Sequence, residues 1–199
     1  MMRALLLLIF ALAGCGPSVP KLTPLPQDAV ILAFGDSLTY GTGAAAEESY
    51  PAVLQTLVGR MVIRSGVPGE VTTESLQRLP DTLDETAPKL MILCIGGNDF
   101  LRQLGEKQAA DNIRSMIQLA KDRGVEVVLV GVPKFGLMLT PPKFYAQLAE
   151  EFNIPYEDDI MHKILLRKSL KSDEIHPNAK GYRLFAESVA DLLKKAGAI

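Results

Sequence analysis

The sequence predicts an α/β protein, a three-layer α/β/α sandwich around a parallel sheet of about five strands. Short apolar runs alternate with stretches of helical spacing from Ala29 to the end of the chain, the pattern of successive βαβ units. The runs Val30-Ile31-Leu32-Ala33-Phe34 and Leu90-Met91-Ile92-Leu93-Cys94-Ile95 are apolar at every position. Strands buried on both faces read that way, whereas half-exposed strands alternate. With 199 residues, 48% hydrophobic and 22% charged, the chain has ordinary globular composition and enough length for one domain with a substantial core.

The N-terminal segment lies outside that domain. Met1-Met2-Arg3 gives a positive start, and Ala4 to Gly14 is continuously apolar. A helix needs roughly 20 apolar residues to span a bilayer, so this stretch fits a signal h-region instead. It ends in Leu12-Ala13-Gly14-Cys15, which resembles the lipobox of bacterial lipoproteins. That resemblance implies lipidation of Cys15, which then begins the mature chain. Residues 1–15 are thus expected to be a lipoprotein signal segment, and the protein to be anchored to a membrane of a bacterial cell envelope, periplasmic or outer-membrane. Several acyl chains on one cysteine give stable anchoring where one gives only marginal binding. Residues 16–28 contain Pro17, Pro20, Pro24 and Pro26, which predicts an extended tether that stands the domain off the membrane. Residues 29–199 form the domain. With Cys15 acylated, Cys94 has no disulfide partner, and its apolar strand predicts a buried, unreactive thiol. Net charge is −2, and no run of Lys or Arg exceeds two, which gives nucleic-acid binding little electrostatic support.

In order, Ala29 to Phe34 is the first strand, and Ser49-Tyr50-Pro51 opens a helix with proline in its first turn. Met61-Val62-Ile63 is a second strand, broken at Gly66-Val67-Pro68-Gly69. Thr72 to Leu83 has helical spacing at Leu76, Leu79 and Leu83, with Pro80 expected to kink or split it. Leu90 to Ile95 is the third strand. Ile113, Met116, Ile117 and Ala120 mark one stripe of an amphipathic helix that stops at Gly124. Val125 to Val132 is the fourth strand, followed by a loop with Phe135, Leu137, Met138 and Leu139, residues that suit either the lining of a pocket or core under a loop. Lys143 to Phe152 is helical, Ile154-Pro155-Tyr156 begins a short fifth strand, and Met161 to Leu170 is irregular or helical. The last helix buries Tyr182, Phe185, Ala186, Val189, Leu192 and Leu193, with Asn178 near its start.

Chemistry collects at the carboxyl ends of these strands, where open α/β sheets gather ligands. The first strand ends in Gly35-Asp36-Ser37, the second is followed by Gly69, and the third ends in Gly96-Gly97-Asn98-Asp99. Ser37 is the first hydroxyl beyond its strand and a candidate nucleophile, although Ser and Asp at such a turn also serve as helix caps. The chain has two histidines. His162 has no supporting neighbours and reads as structural. His176 follows Asp173 by three residues, close enough for the carboxylate to hold Nδ1–H and leave Nε2 free as a base.

Together Gly35-Asp36-Ser37-Leu38, Gly69, Gly96-Gly97-Asn98-Asp99 and Asp173-Glu174-Ile175-His176 resemble the four blocks of the SGNH hydrolases, the GDSL esterases and lipases. They occur in order across nearly the whole domain, most like the bacterial arylesterase and thioesterase/lysophospholipase branch. The resemblance implies a flavodoxin-like parallel sheet and a carboxylic-ester hydrolase needing no cofactor or metal. It implies that Ser37 attacks, His176 is the general base and Asp173 orients it. It also implies an oxyanion hole from the backbone N–H groups of Ser37 and Gly69 and the side chain of Asn98. Asp36 and Asp99 are expected to hold loops. The second block departs from the family pattern: Arg64 stands where asparagine is usual and Glu70 where aspartate is usual, and Gly66 competes with Gly69 for the oxyanion role. The expected substrates are short acyl or aryl esters, thioesters or lysophospholipids. The alternatives are a carbohydrate O-acetylesterase using the same residues and a non-enzymatic, flavodoxin-like binding lipoprotein. The chain lacks both Gly-x-Ser-x-Gly and a P-loop.

Overall fold

The computed structural model describes residues 19–134 and 139–199. The signal segment, Cys15 and the loop residues Phe135, Leu137 and Met138 lie outside the described residues. Five parallel strands form one sheet in the order β2-β1-β3-β4-β5: β1 Val30–Gly35, β2 Met61–Gly66, β3 Leu90–Cys94, β4 Glu126–Val130 and β5 Tyr156–Glu157. All five residues of β3 are buried, as a central strand covered on both faces requires.

The helices are α1 Ser37–Tyr40, α2 Tyr50–Val58, α3 Thr72–Thr86, α4 Gly97–Leu101, α5 Glu106–Asp122, α6 Lys143–Phe152, α7 Ile160–Leu165 and α8 Ala179–Ala196. Helices α2, α7 and α8 cover one face of the sheet, and α3, α5 and α6 the other. Tyr50 of α2 stacks on Phe185 of α8 with ring centroids 4.3 Å apart. The chain steps from β1 outward to β2, then returns to place β3 on the other side of β1. That reversal opens a crevice at the carboxyl ends of β1 and β3.

Two expectations are corrected. Of the two expectations for Pro80 the split is overturned: α3 runs unbroken to Thr86. An interior proline costs about 3 kcal/mol in a free helix, but here buried Leu79 and Leu83 fix the helix on both sides of it. The proline-rich stretch is extended, yet from Val19 onward it is no free spacer. Leu22 N–H donates to Ala196 O at 2.9 Å, Leu25 N–H donates to Ala198 O at 2.8 Å, and Thr23 bonds the Glu126 carboxylate. Leu25 is buried, and Arg60 donates to the carbonyls of Leu25 and Pro26. β2 also runs three residues further than the apolar run, because its edge position lets Arg64 and Ser65 keep contact with solvent while still pairing with β1.

Candidate active site

The turn after β1 is set by close approach. A Cβ on Gly35 would sit 1.9 Å from the Cys94 carbonyl oxygen, so only glycine lets β1 pass β3 there. Asp36 then caps α1, its Oδ1 accepting from Leu38 N–H at 3.0 Å, and Ser37 becomes the first helical residue. Burial raises the Asp36 carboxyl from its ordinary 3.8 to about 7; the Glu70 and Asp99 carboxylates add to the rise and the Leu38 N–H opposes it.

His176 arrives from the loop before α8. Its Nε2 lies 3.0 Å from Ser37 Oγ, and its Nδ1 lies 2.7 Å from Asp173 Oδ2. Asp173 Oδ1 accepts from the backbone N–H groups of Ile175 and His176, each at 2.8 Å. Burial acts to raise the Asp173 carboxyl, but the His176 ring and the two N–H groups outweigh it and hold it below the ordinary carboxylate range. With the carboxylate accepting at Nδ1–H, Nε2 is left to accept from the serine hydroxyl. Asn178 fixes the loop's far end: its Oδ1 accepts from Lys180 and Gly181 N–H while its Nδ2 donates to the Ser169 and Lys171 carbonyls.

Asn98, in the first turn of α4, donates from Nδ2 to Glu70 O at 2.9 Å and makes a longer 3.4 Å contact with Asp36 Oδ2. The amide thus lies beside Gly69, whose φ is +81°. Gly66 has a different reason to be glycine, since a Cβ there would meet Tyr40 N at 2.2 Å and Asp36 O at 2.6 Å. Asp99 holds the start of α3, accepting from Thr72 N–H and Thr72 Oγ1–H. Arg64 donates to Tyr40 O and lies over the Tyr40 ring, clamping the end of α1.

Ser37, Asn98 and His176 open onto one cleft, walled by Leu38, Leu101, Val132, Pro133, Met161 and Ile175. Val132 and Pro133 were readable, since the fourth strand's end lies on the same edge as the other three; Met161 carried no local signal. His162 stands apart, with Nδ1 3.2 Å from Leu139 O, and lines a separate groove. Cys94 is fully buried, and burial pushes its thiol up. Among the described residues no group of three or more His, Cys, Asp or Glu could hold a metal ion.

Known proteins resemble this chain over most of its length. An arylesterase of Vibrio mimicus is 30% identical over 201 residues, covering 96% of this chain and 96% of that protein. Thioesterase 1/protease 1/lysophospholipase L1 of Escherichia coli K12 is 27% identical, covering 82% of this chain and 83% of that protein. The crystal structure of AlinE4, an SGNH-hydrolase family esterase, superposes with a TM-score of 0.66 at 30% identity, covering 86% of this chain and 98% of that one. The GDSL-like Lipase/Acylhydrolase family matches residues 33–184, from within β1 to within α8, and the chain belongs to it.

Proposed function

We propose that in this serine esterase Ser37 is the nucleophile, His176 the general base and then general acid, and Asp173 the group that orients His176. The observation that carries the assignment is the continuous chain from Asp173 Oδ2 through both nitrogens of His176 to Ser37 Oγ, with links of 2.7 and 3.0 Å. Ser37 Oγ attacks the ester carbonyl carbon while its proton passes to His176 Nε2. The imidazolium, stabilised by Asp173, then gives that proton to the departing alkoxide, leaving an acyl-enzyme. Water repeats the sequence and releases the acid.

The oxyanion is assigned to the N–H groups of Ser37 and Gly69 and to Asn98 Nδ2. One Asn98 hydrogen is held by the Glu70 carbonyl. The other makes only the 3.4 Å contact with Asp36, which an oxyanion can displace. Gly69 is preferred to Gly66 because Gly66 is pressed against α1, and among the described residues the Gly69 N–H has no backbone acceptor. Losing one such donor typically costs about 2.7–4 kcal/mol of transition-state stabilisation. The apolar cleft walls favour acyl or aryl carboxylic esters, thioesters included, over a sugar acetate. Ser37→Ala should lower turnover of p-nitrophenyl butyrate by at least about 10³-fold while the protein stays folded. It should also abolish fluorophosphonate labelling; wild-type turnover would remove Ser37 from the role. For location, the Leu12-to-Cys15 lipobox supports an envelope lipoprotein anchored through Cys15.

A further inference from the structure

We infer that Arg78, paired with Glu70, is a positioning residue for the oxyanion site, joining the turn that carries Ser37 to the loop that carries Gly69. The inference rests on the oxyanion assignment above and names what holds it in shape. Arg78 lies on α3, outside the four sequence blocks, and its guanidinium makes five hydrogen bonds. Nε donates to Glu70 Oε1 at 2.7 Å and Nη2 to Glu70 Oε2 at 2.8 Å, a bidentate pair. Nη1 donates to Ser65 Oγ at 2.8 Å, and Nη2 reaches the carbonyls of Gly35 at 3.0 Å and Ser65 at 3.2 Å. The guanidinium also lies 3.9 Å from the Phe34 ring centroid. Arg78 is 24% exposed and Glu70 6%, so neither group is a surface ornament.

Two of the three residues that accept from Arg78 lie next to or near an oxyanion donor in sequence. Gly35 is two residues before Ser37, and Glu70 directly follows Gly69. The Glu70 carbonyl takes one hydrogen of the Asn98 amide and so sets the direction of the other. Ser75 Oγ–H donates to Glu70 Oε2, leaving neither carboxylate oxygen without a donor. One planar cation therefore fixes the ends of β1 and β2 and the following loop in a single frame. Lysine, a point charge on a flexible stem, could pair with Glu70 but could not fork to the Gly35 and Ser65 carbonyls together. The substitution of Glu70 for the usual aspartate fits the same picture, since its carboxylate is the bidentate partner of Arg78. A buried ion pair is weak evidence for stability by itself, and what these contacts specify is the relative position of three donors.

The test uses the full chain and p-nitrophenyl butyrate. Arg78→Lys and Glu70→Gln should each lower kcat about 10- to 100-fold, with KM changing less than about threefold. In Arg78→Lys the acid limb of kcat/KM should not move, because Arg78 touches neither His176 nor Asp173. Millimolar methylguanidinium should restore part of kcat to Arg78→Ala and none to Ser37→Ala. Wild-type kcat in folded Arg78→Lys and Glu70→Gln overturns the inference. So does a loss that tracks only the folded fraction by near-ultraviolet circular dichroism, without rescue. If the Arg78 variants do not fold, Glu70→Gln decides, since it keeps the side chain's shape and an acceptor for Ser75. Failure of the nucleophile assignment looks different: Ser37→Ala then stays active whatever Arg78 does.

Discussion

Asp36 carries an acid buried next to the nucleophile, and it makes a pH-dependent demand on the fold. Its carboxyl is raised to about 7 by burial, with Glu70 and Asp99 adding to the rise. Below its unfolded value of 3.8 both states hold the proton. Between that value and about 7 the folded state keeps a proton that the unfolded chain releases, so this residue's contribution to stability falls as pH rises and is level above 7. Asp36→Asn cannot ionise. The urea midpoint of Asp36→Asn relative to wild type should therefore rise between pH 4.5 and 7 and flatten above. A constant offset would come from the changed contact with Asn98; a constant difference with no pH slope would refute the buried titration. At this scale Ser37, Asn98, Asp173 and His176 were legible because each sits in a short block with its own local geometry. Arg78 was not: its partners lie between 8 and 43 residues away, and its helix announces only the spacing of its leucines.

Among the elements, the loop between Lys171 and Asn178 depends on α8 for its shape. Asn178 caps that helix with one side-chain atom and ties down the loop's beginning with the other. Asn178→Ala should cost about 0.5–2 kcal/mol of stability, measured by urea denaturation, for the lost cap. It should also lower kcat by up to about 100-fold, since it frees the segment that aims His176 at Ser37. An unchanged kcat in the folded variant would mean that the loop's other ties, Asp173 to the Ile175 and His176 amides and Ser172 N–H to His176 O, hold it without the Asn178 side chain. The strands and the long amphipathic helices were readable because burial on one or both faces leaves a periodic trace. Pro80 does not split α3 because helix propensity is local, whereas buried Leu79 and Leu83 fix the helix on both sides of it. The stretch from Val19 to Asp28 misled for a related reason. Proline density reports that a chain is extended, not whether it has something to lie against.

For the whole molecule, alternation of strands and helices plus right-handed crossovers left few topologies, and the 2-1-3-4-5 order is one of them. The strand order explains why residues 37, 98 and 176 meet: two follow neighbouring strands, and the third precedes the closing helix. The envelope assignment also belongs to this scale. Cys15→Ser should release the protein from the membrane fraction as an active soluble enzyme, scored by fractionation and ester hydrolysis; full membrane retention would refute anchoring through that cysteine. α8 begins beside the site, at Asn178, and its 18 residues carry the chain about 27 Å away before it ends. There the Leu22 and Leu25 amides grip the Ala196 and Ala198 carbonyls, and Thr23 meets the first residue of β4. The described chain from Val19 onward thus docks at the end of the molecule opposite the cleft. If the proposed lipid anchor on Cys15 holds the chain there, the cleft faces the aqueous side and the enzyme meets esters that come to it from solution, with the lipids of its own leaflet behind it.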